Sequence, residues 1–325
     1  MATPIDPWLR DHLACPRDHT ALDLQGDRLI CRDGHEYPCV DGIPIMVVDD
    51  VPQTHWAATW SVEHAHDEEP AVSLGDGELD PFVRGAVGAT CGNLYYATGA
   101  TMDRYPIPRF PLAPQRDGDV LLDVGCHWGR WCISASKAGF RAIGIDPFLP
   151  AVRAARRVAT QLGVAPAFVV GDARYLPFRS GSFDATFSYS VFQHFSEADA
   201  GLAIGQMGRV LAPGGLALVQ MASKFGVRNV MQQARRGFRT PKLFDVRYWY
   251  PADMVREFEQ RIGPARLEVD SYFSLNAQTA DLELIPRRYR PLVRTSEWLR
   301  GASERQRSLL YLADSLYVHA RRPSH

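Results

Sequence analysis

The sequence predicts an α/β protein. Its core is a doubly wound, mainly parallel, seven-stranded sheet with helices on both faces, preceded by a small β module. Three observations carry this prediction. From Asp119 onward, short apolar runs alternate with longer stretches whose apolar residues recur every three or four positions, as strands alternate with crossover helices. The first run breaks into a glycine-containing turn and a helix, LLDVGCHWGRW at 121–131. Residues 8–48 hold only short β-like runs between Cys/His turns, LACPRDHTALDL and then DRLICRDGHEYPCVDGIPIMV.

In chain order, 1–48 is the β module. Residues 49–80 are polar, with VEHAHDEEP and the glycine-rich SLGDGELD, and read as a linker. Pro81 to Pro114 reads as helical and ends in the stiff RYPIPRFPLAP, so 49–115 is assigned as linker and helical lid. The α/β domain is 116–325. DVLLDVG is its first strand, GRWCISASKAG a helix, RAIGID a strand and LPAVRAARRVATQLG a helix. AFVVGD and FDATFSYS are further strands. Ser196 and Asp199 form a capping-box pattern that opens the next helix, APGG at 212–215 closes it, and GLALVQM is the fifth strand. An irregular Arg-rich insertion covers about 223–250. PADMVREFEQRIG is then a helix, and ARLEVDSYF and DSLYVHARR complete seven strands.

With 36 basic and 37 acidic residues the formal net charge is −1. That balance argues against a nucleic-acid partner or an anionic membrane. No apolar run approaches the roughly 18–20 residues of a membrane span, and the first residues lack a signal-peptide core. A soluble, cytoplasmic protein is expected, with its six cysteines reduced.

A parallel sheet binds ligands beyond the carboxyl ends of its strands. Gly125 can turn with positive φ, and Gly129 lets the helix start close to a ligand; Cys126 and His127 stand between them. Asp123, inside the strand end, would repel a pyrophosphate and suits an ammonium group. Asp146, 23 residues on, stands where a carboxylate takes ribose hydroxyls. Asp172 can accept from an exocyclic amine while the Ala173 N–H reads a ring nitrogen. Ribose, adenine amine and amino-acid ammonium describe S-adenosylmethionine (SAM) better than a dinucleotide.

On these residues the stretch 116–222 resembles a class I SAM-dependent methyltransferase with a Rossmann-like sheet, of the small-molecule type. LLDVGCHWGRW is similar to its first motif, AIGIDP to the second, and GDARYLPFRSGSFDATFSYS to the adenine motif and following strand. The resemblance implies Asp123 and the 125–129 loop around the methionine moiety, Asp146 on the ribose, Pro147 against adenine, and Asp172 with Ala173 at the adenine edge. Ser188, on the fourth strand, completes the expected cofactor set. The family's usual glycine is replaced by His127, for which two roles are open: pointing to the substrate side, or capping the helix.

Methyl transfer to a hydroxyl or amine needs positioning and, near neutral pH, a base. His194 in SYSVFQHF is the candidate, with Tyr189 and Gln193 as orienting groups; the alternative is that His194 caps the next helix. Lys224, Arg228, Arg235, Arg236, Arg239 and Lys242 would make a cationic lid suited to an anionic substrate, or a solvated face. PRRYRPLVR at 286–294 is equally basic.

Cys15, His19, Cys31 and His35 are spaced C-x3-H twice, a set that suits tetrahedral zinc. With YPCVDGIPIMV, this segment resembles the zinc-ribbon-like activator subunit of tRNA methyltransferases and the N-terminal zinc segment of bacterial rRNA guanine methyltransferases. It departs from them at Asp18, where a cysteine is common, so a metal-free β module is the alternative. The expected function is methylation of a hydroxyl on a small-molecule or glycan-type acceptor. The rivals are RNA base N-methylation and a non-catalytic SAM-binding scaffold.

Overall fold

The structure is a computed structural model that describes residues 4–53, 56–67, 72, 77–96, 102–239, 245–275 and 277–324. Among the described residues eleven strands form one continuous sheet, which corrects the expected seven. The first four come from the N-terminal segment. Helix α1 (Pro7–His12) has proline at its first position and Asp6 as cap, accepting from the Trp8 N–H at 2.9 Å. Strands β1 (Leu22–Gln25), β2 (Arg28–Cys31), β3 (Glu36–Val40) and β4 (Ile43–Met46) form an antiparallel meander. Asp41 and Gly42 both take positive φ, at 52° and 76°, and turn β3 tightly into β4 as Asp-Gly pairs do.

The linker region carries a short helix that its composition did not signal, α2 (Trp56–Glu63). Helix α3 (Pro81–Cys91) is shorter than expected. Asp80 caps it through the Phe82 N–H and also takes an ion pair from Arg157 at 2.7 Å.

Beyond residue 119 the elements are β5 (Val120–Val124), α4 (Arg130–Lys137), β6 (Arg141–Asp146), α5 (Leu149–Gln161), β7 (Ala167–Gly171), β8 (Phe183–Tyr189), α6 (Glu197–Val210), β9 (Leu211–Ala222), α7 (Val227–Arg235), α8 (Pro251–Arg261), β10 (Ala265–Ser271), α9 (Arg290–Arg305) and β11 (Ser315–Arg321). The sheet order is β1-β2-β3-β4-β7-β6-β5-β8-β9-β11-β10. Strands β4 to β9 in this order pair in parallel, while β11 and β10 pair antiparallel. Met46 lies opposite Gly171, so the N-terminal segment extends the main sheet through β4.

Alternation along the strands divides the core. Leu122, Val124, Ile143, Ile145 and Val169 pack on one face with Ile204 and Met207 of α6 and Phe258 of α8. Leu121, Ala142, Phe168 and Val170 pack on the other with Ile133, Val152 and Ala155 of α4 and α5. Each of these side chains larger than alanine contributes about 1.5–3 kcal/mol by leaving water. The expected break at APGG lies inside β9. The β8–β9 register jumps there, from Phe183 opposite Leu211 to Ala185 opposite Leu216, and a bulge of this kind accommodates Pro213 and Gly214. Helix α9 includes part of the basic cluster at 286–294, where the sequence signals no helix. No helix among the described residues is long and apolar enough to cross a membrane.

Candidate functional site

Strand β5 meets β6 on one side and β8 on the other, so its carboxyl end opens a crevice at the switch point of the sheet. The turn there has Gly125 at φ 80° and Gly129 at φ 77°. A Cβ on Gly125 would stand 2.3 Å from Val191 Cγ2, and one on Gly129 would stand 2.9 Å from the Ala155 Cβ. Both glycines are therefore required by backbone conformation and by packing within the protein. For Gly129 this differs from the expected close approach to a ligand.

His127 also takes a left-handed conformation, at φ 47°, which costs a non-glycine residue about 1–2 kcal/mol. Its backbone N–H donates to Asp146 Oδ2 at 2.9 Å, while Asp146 Oδ1 accepts from the Phe148 N–H at 3.0 Å. One carboxylate thus ties the crest of the turn to the end of β6. Gly129, not His127, occupies the N-cap of α4; His127 lines a cavity instead.

That cavity measures about 530 Å³, within the range of small-molecule sites. One end is formed by the 125–128 turn, by Asp146, Pro147 and Phe148, by Asp172 and Ala173, and by Gln53 and Ala57. Ser61 of α2 holds this wall, donating to the Pro147 carbonyl at 2.7 Å and accepting from the Leu149 N–H at 2.8 Å. Asp172 is gripped by Arg174, whose backbone N–H donates to Oδ1 at 2.8 Å and whose Nη2 donates to Oδ2 at 2.7 Å. The same guanidinium reaches Asp199 Oδ1 at 3.0 Å and the Pro52 carbonyl at 2.9 Å.

Besides Gly129, two expected cofactor residues do not line this wall. Asp123 lies behind it, 1 % exposed, accepting from Cys132 Sγ at 3.2 Å. Burial pushes its carboxyl up to about 7, with the nearby Asp146 charge adding to the rise. Ser188 is fully buried and donates to the Val124 carbonyl at 2.7 Å, joining β8 to β5. Each occupies a strand position whose side chain turns into the protein.

At the far end stand Tyr189, Gln193 and His194. Residues Phe192–His194 form a 3-10 turn, held by Arg247, which donates through its backbone N–H to the Gln193 carbonyl at 2.7 Å and through Nη1 to the His194 carbonyl at 2.8 Å. Ser196 caps α6, accepting from the Asp199 N–H at 3.1 Å; His194 does not fill that position. The Tyr189 hydroxyl donates to Asp270 Oδ2 at 3.0 Å, and burial pushes its phenol well up, so that it stays a neutral donor.

Gln220, Asn229, Gln232, Tyr248 and Asp314 complete this end, and sequence reasoning singled out none of them. They come from β9, from the inner face of α7 and from segments far along the chain, with no periodic signal in common. None of Lys224, Arg228, Arg235, Arg236 and Arg239 lines the cavity; Lys242 lies outside the described residues. Arg228 and Arg236 instead donate to the Phe273 and Val246 carbonyls. The cationic-lid expectation is corrected to that extent.

The N-terminal segment brings together Cys15, Asp18, Cys31 and His35, whose ligand atoms all lie within 4.8 Å of one another. His35 Nδ1 is 3.5 Å from Cys15 Sγ, 3.3 Å from Cys31 Sγ and 3.2 Å from Asp18 Oδ2. Ligands at zinc distances of about 2.0–2.3 Å in a tetrahedron stand about 3.3–3.8 Å apart, so these residues fit that ion. His19 is not in the group. Asp18 Oδ1 accepts from Thr20 N and Oγ1, at 2.8 and 2.6 Å, which turns Oδ2 inward, and His19 follows at φ 60°. Burial and the Arg209 charge lower the His19 imidazole.

A family profile described as a methyltransferase domain matches residues 121–215. The mouse protein named "Probable tRNA methyltransferase 9B" is 34% identical over 125 residues, 38% of this chain and 26% of that protein. "Demethylmenaquinone methyltransferase" of Thermus thermophilus is 41% identical over 110 residues, 33% of this chain and 49% of that protein. "Norajmaline N-methyltransferase" of Rauvolfia serpentina is 32% identical over 104 residues, 31% of this chain and 35% of that protein. The chain spans between about a quarter and a half of the length of these curated relatives. Residues 121–215 are thus similar to a methyltransferase domain.

Proposed function

We propose that this chain is a SAM-dependent methyltransferase that methylates a hydroxyl of a small-molecule or glycan-type acceptor. The observation that carries the reading is the single cavity joining Asp146, Pro147, Asp172 and Ala173 to Gln193 and His194. The first group would hold SAM, with Asp146 accepting ribose hydroxyls and the Ala173 N–H at the adenine edge. Bound SAM supplies an electrophilic methyl group on a sulfonium. The chain then has to orient an acceptor oxygen and remove its proton. The His194 imidazole is the base in this reading, and Arg247 holds its turn rigid from behind. Tyr189, fixed by Asp270, and Gln193 orient the acceptor.

Zinc at Cys15, Asp18, Cys31 and His35 belongs to the same reading, as a structural clamp where two knuckles meet. A second reading, transfer to an RNA base, is favoured by the relatives named as tRNA methyltransferases. The near-neutral net charge of −1 weighs against it.

Calorimetric titration with SAM tests the cofactor, and tritiated methyl transfer to a small-molecule extract or to total RNA tests the acceptor. The reading expects SAM binding, and label in the small-molecule fraction. Absence of SAM binding would remove it, and label in RNA alone would replace it with the second reading.

A further inference from the structure

Helix α7 presents its apolar side to solvent and its polar side to the protein. Val227, Val230, Met231 and Ala234 recur at the three-to-four spacing of one helix face, and all four are exposed. Asn229 and Gln233 are its buried residues. Asn229 Nδ2 donates to the Ser223 and Asp314 carbonyls at 2.8 and 2.7 Å, and Gln233 Nε2 donates to the Lys224 carbonyl at 2.9 Å. Hydrogen bonds therefore fix the helix by its polar side and hold the apolar stripe outward. After the helix, Gly237 takes φ 62° and the Phe238 N–H donates to the Gln233 carbonyl at 2.8 Å. In such a C-cap the apolar residue at the Phe238 position commonly packs on the side chain about five positions earlier. Here that side chain is the buried Gln233, and Phe238 stays 67 % exposed. Before the helix, the Phe225 ring is 44 % exposed and lies 5.4 Å from the exposed Tyr250 and 6.4 Å from the exposed Tyr311. An exposed apolar strip thus runs from Phe225 along α7 to Phe238.

The charge beside this strip has one sign. From Ser223 to Phe244 the sequence carries six basic residues, Lys224, Arg228, Arg235, Arg236, Arg239 and Lys242, and no acidic one. The formal net charge of −1 averages over the whole chain, whereas a charged surface acts within a Debye length, about 8 Å at physiological salt. An exposed apolar helix face bordered by arginines is the pattern that enters the headgroup layer of a bilayer. A second copy placed symmetrically on the strip would set these cations against their own counterparts. RNA would meet the arginines, but Val227, Val230, Met231 and Ala234 offer no ring on which a base stacks. We propose that the strip from Phe225 to Phe238 docks on an anionic lipid surface, with the apolar face of α7 inserted. Asn229 and Gln232 of the same helix line the cavity, so docking sets the far end of the cavity about 10 Å, one helix diameter, from the lipid. This binding does not depend on the methyltransferase reading.

The test is cosedimentation of the full chain with vesicles of phosphatidylcholine alone and of equimolar phosphatidylcholine and phosphatidylglycerol. The wild type should bind the anionic vesicles, and the neutral ones about tenfold or more weakly. Arg235→Gln with Arg239→Gln should weaken binding to the anionic vesicles about 30-fold, at about fivefold for each arginine. Val230→Ser with Met231→Ser should weaken it about 10- to 100-fold through lost apolar insertion. All four side chains are exposed, so both double variants should keep the wild-type melting temperature, which separates lost binding from lost folding. A wild type that binds neither vesicle overturns the proposal, as does equal binding by all three proteins. A loss confined to the arginine variant overturns the inserted helix face. Sedimentation velocity and titration with total RNA accompany the vesicle assay. Without vesicle binding, a dimer that the Val230/Met231 variant dissolves assigns the strip to a second copy, and RNA binding that the arginine variant loses assigns it to RNA; either result overturns the lipid surface.

Discussion

Asp123→Asn isolates one charge that the fold has enclosed. The carboxyl is fully buried behind the turn, with Cys132 Sγ as its hydrogen-bond donor. Burial, with Asp146 nearby, pushes it from the usual 3.8 up to about 7. At about 1.36 kcal/mol per pKa unit, that rise corresponds to about 4 kcal/mol against the ionised form. The sign follows from proton counting. Between about pH 4 and pH 7 the folded protein holds this proton and the unfolded chain does not, so stability falls as pH rises through that window. Asparagine keeps the shape and cannot ionise. The variant should therefore gain on the wild type by up to about 4 kcal/mol at pH 8 and by little near pH 4. Urea denaturation of both proteins at pH 4.5, 6, 7 and 8 measures the difference, and SAM titration measures binding. Parallel stability curves would refute the enclosed-charge account. A large loss of SAM affinity would restore the contact with the ligand's ammonium.

Arg174→Met leaves the buried Asp172 with the backbone N–H of residue 174 but without the guanidinium, while releasing Asp199 and Pro52; a loss of about 3–5 kcal/mol is expected, and a loss under 1 kcal/mol in chemical denaturation would count against it. His194→Ala should lower turnover about 10²- to 10⁴-fold with SAM affinity within twofold, whereas unchanged turnover would end its role as base. Asp18→Ala should reduce zinc measured by atomic absorption and the melting temperature together, while His19→Ala leaves the zinc content unchanged; the opposite pattern would return the ligand role to His19.

The order of strands and helices from Asp119 onward was legible because strands buried on both faces read as continuous apolar runs and their helices keep a three-to-four spacing. Glycines at 125 and 129 were legible for a related reason: only glycine enters the left-handed region at little cost, although the neighbours that also require them, Val191 and Ala155, were not. Asp146, Pro147, Asp172, Ala173 and the 193–194 turn follow from their places at strand ends, where a parallel sheet exposes its ligands. Helix α2 stayed hidden in a polar stretch because it packs through small residues, Ala57, Ala58 and Ser61.

Local pattern alone determined where the chain turns, which segments beyond Asp119 form strands and which carboxylates come near the open edge of the sheet. The three-dimensional packing decided which way each side chain faces. It turned Asp123 and Ser188 inward, chose Asp18 over its neighbour His19, and joined the N-terminal strands to the main sheet. The physical reason is that strand ends and knuckles place neighbouring residues on opposite sides, and only contacts from distant parts of the chain determine which of those sides is enclosed.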